Sequence, residues 1–132
     1  MKAIVLKAQN DEGYCAVEII DMPSTNGDAV RAIIGGWMEV FGRGNFGGVP
    51  VVVIGDEEGR LKEGIRWNPT AADFLTSATR NAGFIFQGIA GDAVVLYDGE
   101  EDWRAFTDEE INAIRKELDN GGYPVQESSH AL

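Results

Sequence analysis

Val49-Pro50-Val51-Val52-Val53-Ile54 is a nearly unbroken apolar run, and its reading decides the fold. Six residues is the length of a strand, and the β-branched content points the same way. A strand with one wet face would alternate apolar and polar side chains. This run does not alternate, so it is expected to be buried on both faces. A sheet around it, with helices packed on that sheet, follows.

Downstream, Asp56-Glu57-Glu58-Gly59 reads as a hairpin turn with Gly59 at positive φ, and Arg60-Leu61-Lys62 as a short return strand. Upstream, Gly42-Arg43-Gly44-Asn45-Phe46-Gly47-Gly48 reads as a loop, and Trp37 to Phe41 as a strand before it. Ala29, Val30, Ile33, Ile34 and Trp37 recur at helical spacing. Ser24, Thr25 and Asn26 are N-cap types, Thr25 with Asp28 resembles a capping box, and Gly35-Gly36 stops this first helix. Lys2 to Ala8 and Tyr14 to Ile20 flank the turn cluster Asn10-Asp11-Glu12-Gly13 and read as a β-hairpin.

Asn68-Pro69-Thr70 opens a second helix, with Asn68 as cap, Pro69 at the first position and Phe74, Leu75 and Ala78 on the apolar face. Phe84-Ile85-Phe86 is β-prone, and Ala93 to Tyr97 is a strand after the turn Gly91-Asp92. Thr107-Asp108-Glu109-Glu110 is a capping box, with Phe106 and Ile111 placed as a hydrophobic staple. Ile111, Ile114 and Leu118 form the inward stripe of the last helix. Its acids lie in the first turn and Arg115 and Lys116 near the end, as the helix dipole favours, and Gly121-Gly122 ends it. The expected order is β-β-α-β-β-β-α-β-β-α: an α+β domain over residues 1–122, with one mostly antiparallel sheet, about three helices packed on it, and a disordered tail at 123–132.

The chain has 132 residues, 22 acids against 11 Lys and Arg, and a net charge of −11. Phosphate and anionic membranes would be repelled, so direct nucleic-acid and membrane contacts are not expected, whereas basic partners are favoured. The single cysteine, Cys15, excludes an internal disulfide and reads as a small buried hydrophobe. Met1-Lys2-Ala3-Ile4-Val5-Leu6-Lys7 is too short and too charged for a signal peptide, and no apolar run reaches membrane-spanning length, so a cytoplasmic location is expected.

Catalytic signals are scarce. Gly42-x-Gly44-x-x-Gly47 has the letters of a dinucleotide fingerprint, but a strand follows it where the fingerprint needs a helix. The only histidine, His130, stands near the end of the chain, so a His-based triad or multi-His metal site is not expected within one chain. No catalytic residue, metal or cofactor is assigned. The acidic groups Asp56-Glu57-Glu58, Asp98-Gly99-Glu100-Glu101-Asp102 and Asp108-Glu109-Glu110 lack the alternating pattern of a Ca²⁺ loop.

Charge is concentrated. Residues 92–119 hold ten acids and three bases, a net −7 of the total −11, and Trp103 and Phe106 lie among them. An acidic surface beside an aromatic can dock a basic protein. The candidate partner-binding residues are therefore Asp98, Glu100, Glu101, Asp102, Trp103, Asp108 and Glu109.

Four pieces of the chain occur in a shared order: Met1-Lys2-Ala3-Ile4-Val5; Gly36-Trp37-Met38-Glu39-Val40; Asp56-Glu57-Glu58-Gly59-Arg60-Leu61 followed by Asn68-Pro69-Thr70-Ala71; and Ile89-Ala90-Gly91-Asp92-Ala93-Val94-Val95. With Thr107-Asp108-Glu109-Glu110-Ile111, their order resembles the phage- and plasmid-borne proteins grouped as domain of unknown function 3846, over residues 1 to about 118. The Gly-rich segment 42–48 and the acidic stretch 98–102 depart from that pattern. The resemblance implies a bacteriophage or mobile-element origin and the host cytoplasm as the place of action, and carries no activity.

Three functions fit, ahead of a fourth and weakest, an enzyme that would have to work with carboxylates, Arg, Lys or Tyr alone. The first is a non-enzymatic accessory protein that binds a host or phage protein through its acidic surface. The second is a DNA mimic that occupies a nucleic-acid-binding protein. The third is a small-molecule binder, such as a nucleotide-sequestering protein, using Arg43, Arg60, Arg66, Trp67 and Asn68, with Lys62 and Arg80 adding to a less acidic middle of the chain. Trp37, Trp67 and Trp103 suit a core or an interface, and oligomeric state is left open.

Overall fold

The computed structural model describes residues 1–11, 13, 15–22, 27–59, 63–81, 83, 88–99 and 102–131, with 128–131 described by backbone alone. The elements run β1 (Lys2–Leu6), β2 (Val17–Asp21), α1 (Gly27–Ile34), β3 (Met38–Phe46), β4 (Val49–Asp56), α2 (Pro69–Thr79), β5 (Ala93–Asp98), β6 (Trp103–Arg104), α3 (Asp108–Asn120) and β7 (Val125–Ala131). The fold is α+β, with one seven-stranded sheet of order β3-β4-β5-β1-β2-β7 and β6 pairing β5. Every pairing is antiparallel except β2 with β7.

The apolar runs of the central strands follow from burial on both faces. Ile4, Leu6, Val51, Val53, Ala93 and Val95 point into one core, with Phe74 and Leu75 of α2 and Ile111, Ile114 and Leu118 of α3. Their strand neighbours Ala3, Val5, Val52, Ile54, Val94 and Leu96 point into a second core, with Val30 and Ile34 of α1. Successive strand side chains face opposite ways, so α2 and α3 cover one face and α1 the other.

The helix ends obey their local chemistry. Asn68 Oδ1 accepts the Ala71 N–H at 2.9 Å, and Pro69 occupies the first turn. Thr107 Oγ1 accepts the Glu110 N–H while Glu110 Oε1 accepts the Thr107 N–H, closing the capping box. Phe106 and Ile111 are buried in the same core, as a staple requires. Arg115 and Lys116, by contrast, lie in the middle of α3, and its last turn carries no base.

The segment 42–48 is not the expected loop. Residues 42–46 continue β3 past an irregularity between Val40 and Gly42, and Phe46 pairs with Val49. Only Gly47 and Gly48 form the turn, at φ +61° and +79°. Positive φ at both central positions is what a type I′ two-residue hairpin turn demands, and glycine adopts it without steric cost. The glycines of this run hide its strand propensity.

Other expectations also change. Residues 125–131, read as part of a disordered tail, form β7 against the edge of β2. The chain also forms β6, too short to leave a periodic signal. Gly59 is not at positive φ; a methyl there would lie 2.8 Å from the Ala90 carbonyl oxygen. Cys15 is half-buried and lies just outside β2. Trp37 follows α1 rather than completing its stripe, and is 69% exposed. The caps at 24–26, the return strand at 60–62 and the β-prone piece at 84–86 lie outside the described residues.

Candidate functional site

The register gives the sheet two chemically different ends. Lys2 pairs with Asp21, Ile4 with Val95, and Val51 with Tyr97. One end therefore carries the start of β1, the end of β2 and the β5–β6 turn. Phe106 bridges Lys2 there and sets the start of α3 beside it. Asp98, Asp102, Asp108 and Glu109, distant in sequence from Asp21, are brought to this end.

Lys2 is one of the cations of that end, with Arg43 and Arg104. Its ammonium donates to Asp21 Oδ1 at 2.7 Å. That bond first, helped by the charges of Asp21, Glu127 and Asp108, holds the lysine above its usual 10.5. The same bond holds Asp21 below the usual carboxylate value. Nearby, Arg104 grips Glu110 with two hydrogen bonds of 2.7 and 2.9 Å and lies 3.7 Å over the Tyr97 ring. The Arg104 bonds, with those of Thr107, lower Glu110 to about 2. Glu110 is thus committed to the capping box and Arg104.

The candidate acids divide accordingly. Asp102, Asp108 and Glu109 are exposed. Asp98 is held by Arg43, which reaches across β4 at 3.1 Å. Asp102 Oδ1 accepts the Trp103 N–H. Trp103 is half-buried against the second core, and Phe106 is fully buried. Glu100 and Glu101 lie outside the described residues.

Of the alternative ligand set, Arg66, Trp67 and Asn68 stand together at one end of the sheet and Arg43 at the other. Arg43 belongs to the acidic end through Asp98. Arg66 stands at the other end, donating to Asp11 Oδ1 at 2.8 Å and to the Gln9 carbonyl. Asn68 is nearly fully buried and structural: its amide nitrogen donates to the Leu6 and Gly91 carbonyls, each at 2.8 Å, besides its capping bond. Arg80 is exposed at φ +58° as the C-cap of α2. Arg60 and Lys62 lie outside the described residues.

Trp67 is different. It lies at the second end, 44% exposed, and its carbonyl accepts the Gln9 N–H at 2.9 Å. It shares this end with Trp37 and with Ile65, itself 39% exposed. A mostly apolar cleft of about 280 Å³ runs between Trp67, Pro69, Ala72 and Ile89, with Gln9, Asn68 and Asp73 the polar residues among the described ones that line it. A more polar cleft of about 330 Å³, lined by Gln9, Asn10, Asp11, Ile65, Arg66 and Trp67, adjoins it. Gln9 and Asp73 carry no motif; they meet Trp67 only because β1 and α2 converge on residues 66–68. The one signal available was Trp67 placed directly before a capping asparagine.

Among the described residues, no three of His, Cys, Asp and Glu gather as metal ligands would, and no helix is long and apolar enough to cross a membrane. The chain matches the model of the domain of unknown function DUF3846 over residues 1–119 and belongs to that family. No curated protein and no solved structure matches it.

Proposed function

We propose, starting from a family that assigns no activity, that this chain is a non-catalytic accessory protein that holds a basic protein partner on the acidic end of its sheet. The observation carrying the reading is the gathering there of exposed Asp102, from the β5–β6 turn, with Asp108 and Glu109, from the first turn of α3. A fixed array of carboxylates on rigid elements steers and orients a cationic partner. In this reading the protein is the product of a bacteriophage or mobile element, acts in the host bacterial cytoplasm, and takes a host or phage protein as partner.

The test is capture of partners on immobilised chain, compared with the Asp102→Asn/Asp108→Asn/Glu109→Gln variant. A basic protein retained by the parent, lost with the variant and released by salt is the expected result. Retention unchanged by both removes the acidic-end reading.

One observation favours a DNA-mimic form of the same reading. The exposed side of α3 carries Asp108 and Glu109 at its start and Glu117 and Asp119 near its end, with Lys116 the one exposed base among them, along a 13-residue helix of roughly 20 Å. Competition by duplex DNA for the captured partner distinguishes the two forms. The nucleotide-binding alternative fares worse, since Arg43 and Arg66 stand at opposite ends and each is held by a carboxylate.

A further inference from the structure

We infer that the end of the sheet opposite the acidic array is the contact face of a homodimer, covered by a second copy of this chain across a twofold axis. The inference is independent of the partner-binding reading, which concerns the other end.

The centre of the face is apolar. Among the described residues, four large apolar side chains are exposed: Met1, Trp37, Ile65 and Trp67. The last three stand at this end. Trp37 directly precedes β3, whose first residue pairs with Asp56 at the finish of β4. Trp67 bridges Ala90 just ahead of β5, and Ile65 lines the same cleft as Trp67. The chain that carries them is tied by backbone bonds: Glu57 N–H to the Trp37 carbonyl at 2.9 Å, Gln9 N–H to the Trp67 carbonyl at 2.9 Å, and Gly91 N–H to the Arg66 carbonyl at 2.8 Å. Apolar groups on a fixed backbone lose little freedom when they are covered. Gathered exposed apolar side chains mark an interaction surface, and tryptophan is enriched at the centre of such surfaces.

Charge selects the occupant. A chain of net charge −11 repels its own copy, so two copies meet only where their acids are kept apart. Exposed Asp102, Asp108 and Glu109 lie at the opposite end. The eight residues of β4 separate the two ends by roughly 25 Å, beyond the screening length of about 8–10 Å. At the apolar end, acid and base stand side by side: Arg66 with Asp11 at 2.8 Å, and Lys7 with Asp92 at 3.0 Å. Arg66 and Asp11 are both exposed. A face that carries both signs in pairs is its own complement, as a twofold contact requires. Apposition lets Arg66 of one copy meet Asp11 of the other. A partner of a single sign would meet a like charge in every pair.

The test is sedimentation velocity of the full-length chain over a range of concentrations, from about 1 to 200 µM, since dimerisation follows mass action. A reversible monomer–dimer equilibrium is expected, tightened by added NaCl. Trp37→Asp and Ile65→Asp, both at exposed positions, are each expected to weaken it at least tenfold, and Asp108→Asn at the far end to leave it within twofold. Arg66→Glu and Asp11→Arg chains are each expected to dimerise weakly alone and at least tenfold more tightly when mixed. A monomer at every concentration, a dimer indifferent to both apolar substitutions, or no gain on mixing the two charge variants would each overturn the inference.

Discussion

Gly44 shows what a single methyl group costs in this fold. It lies in β3 directly beneath the end of α2, and a Cβ there would run into the Ala78 carbonyl. The clash is with backbone, which cannot rotate away, so Gly44→Ala is expected to lower stability by about 1–3 kcal/mol, read from urea unfolding. Phe74 carries the opposite lesson. It is fully buried on α2 and stacks on Phe46 with ring centroids 4.3 Å apart. Phe74→Ala removes that contact and leaves a cavity, and a loss of about 3–5 kcal/mol is expected by the same measurement. Phe74 was legible as a core residue from its helical spacing. The role of Gly44 was not, because only the position of a helix more than thirty residues away reveals it.

Among the elements, α3 is the one whose stability depends most directly on pH. Folding lowers the Glu110 carboxyl from 4.5 to about 2. Its contribution is therefore complete above the unfolded value and is lost as pH falls from about 4.5 toward 2. Glu110→Gln is expected to cost about 1 kcal/mol near neutrality, after allowance for the partial exposure of its Arg104 partner, and to flatten the acid limb of a pH–stability curve. A variant with the parent's acid limb would contradict that role. β7 is the second test at this scale. It pairs in parallel with the edge of β2, while Arg115 of α3 contacts its Glu127. A stop codon after Gly122 is expected to lower the urea midpoint and to raise hydrogen exchange in β2, where one edge loses its partner. Equal midpoints would restore the loose-tail reading. The capping box of α3 and the buried runs were legible because their signals are local. β7 was not, since Val-Gln-Glu-Ser-Ser-His-Ala is polar and becomes a strand only through an edge supplied by the start of the chain.

For the whole molecule, the net charge of −11 sets the largest effect. Self-repulsion opposes compactness, and screening relieves it over about 8–10 Å at physiological ionic strength. The melting temperature is expected to rise between 20 and 300 mM NaCl; a fall would mean that ion pairs such as Lys2–Asp21 outweigh the repulsion. Composition made the acidity plain and pointed to Asp102, Asp108 and Glu109. It could not show that Asp98 is held by Arg43, nor that Gln9 and Asp73 flank Trp67, because pairing between distant strands decides both.

The place of β5 in the sheet carries a kinetic consequence. It is the strand that joins the β3–β4 hairpin to the β1–β2 hairpin, and it lies later in the chain than all four. Two local hairpins can form early, but they stay separate until a segment some ninety residues from the first strand closes between them. Such distant closure is slow, so refolding in milliseconds to seconds is expected, with the apolar flanks of both hairpins bare in the meantime.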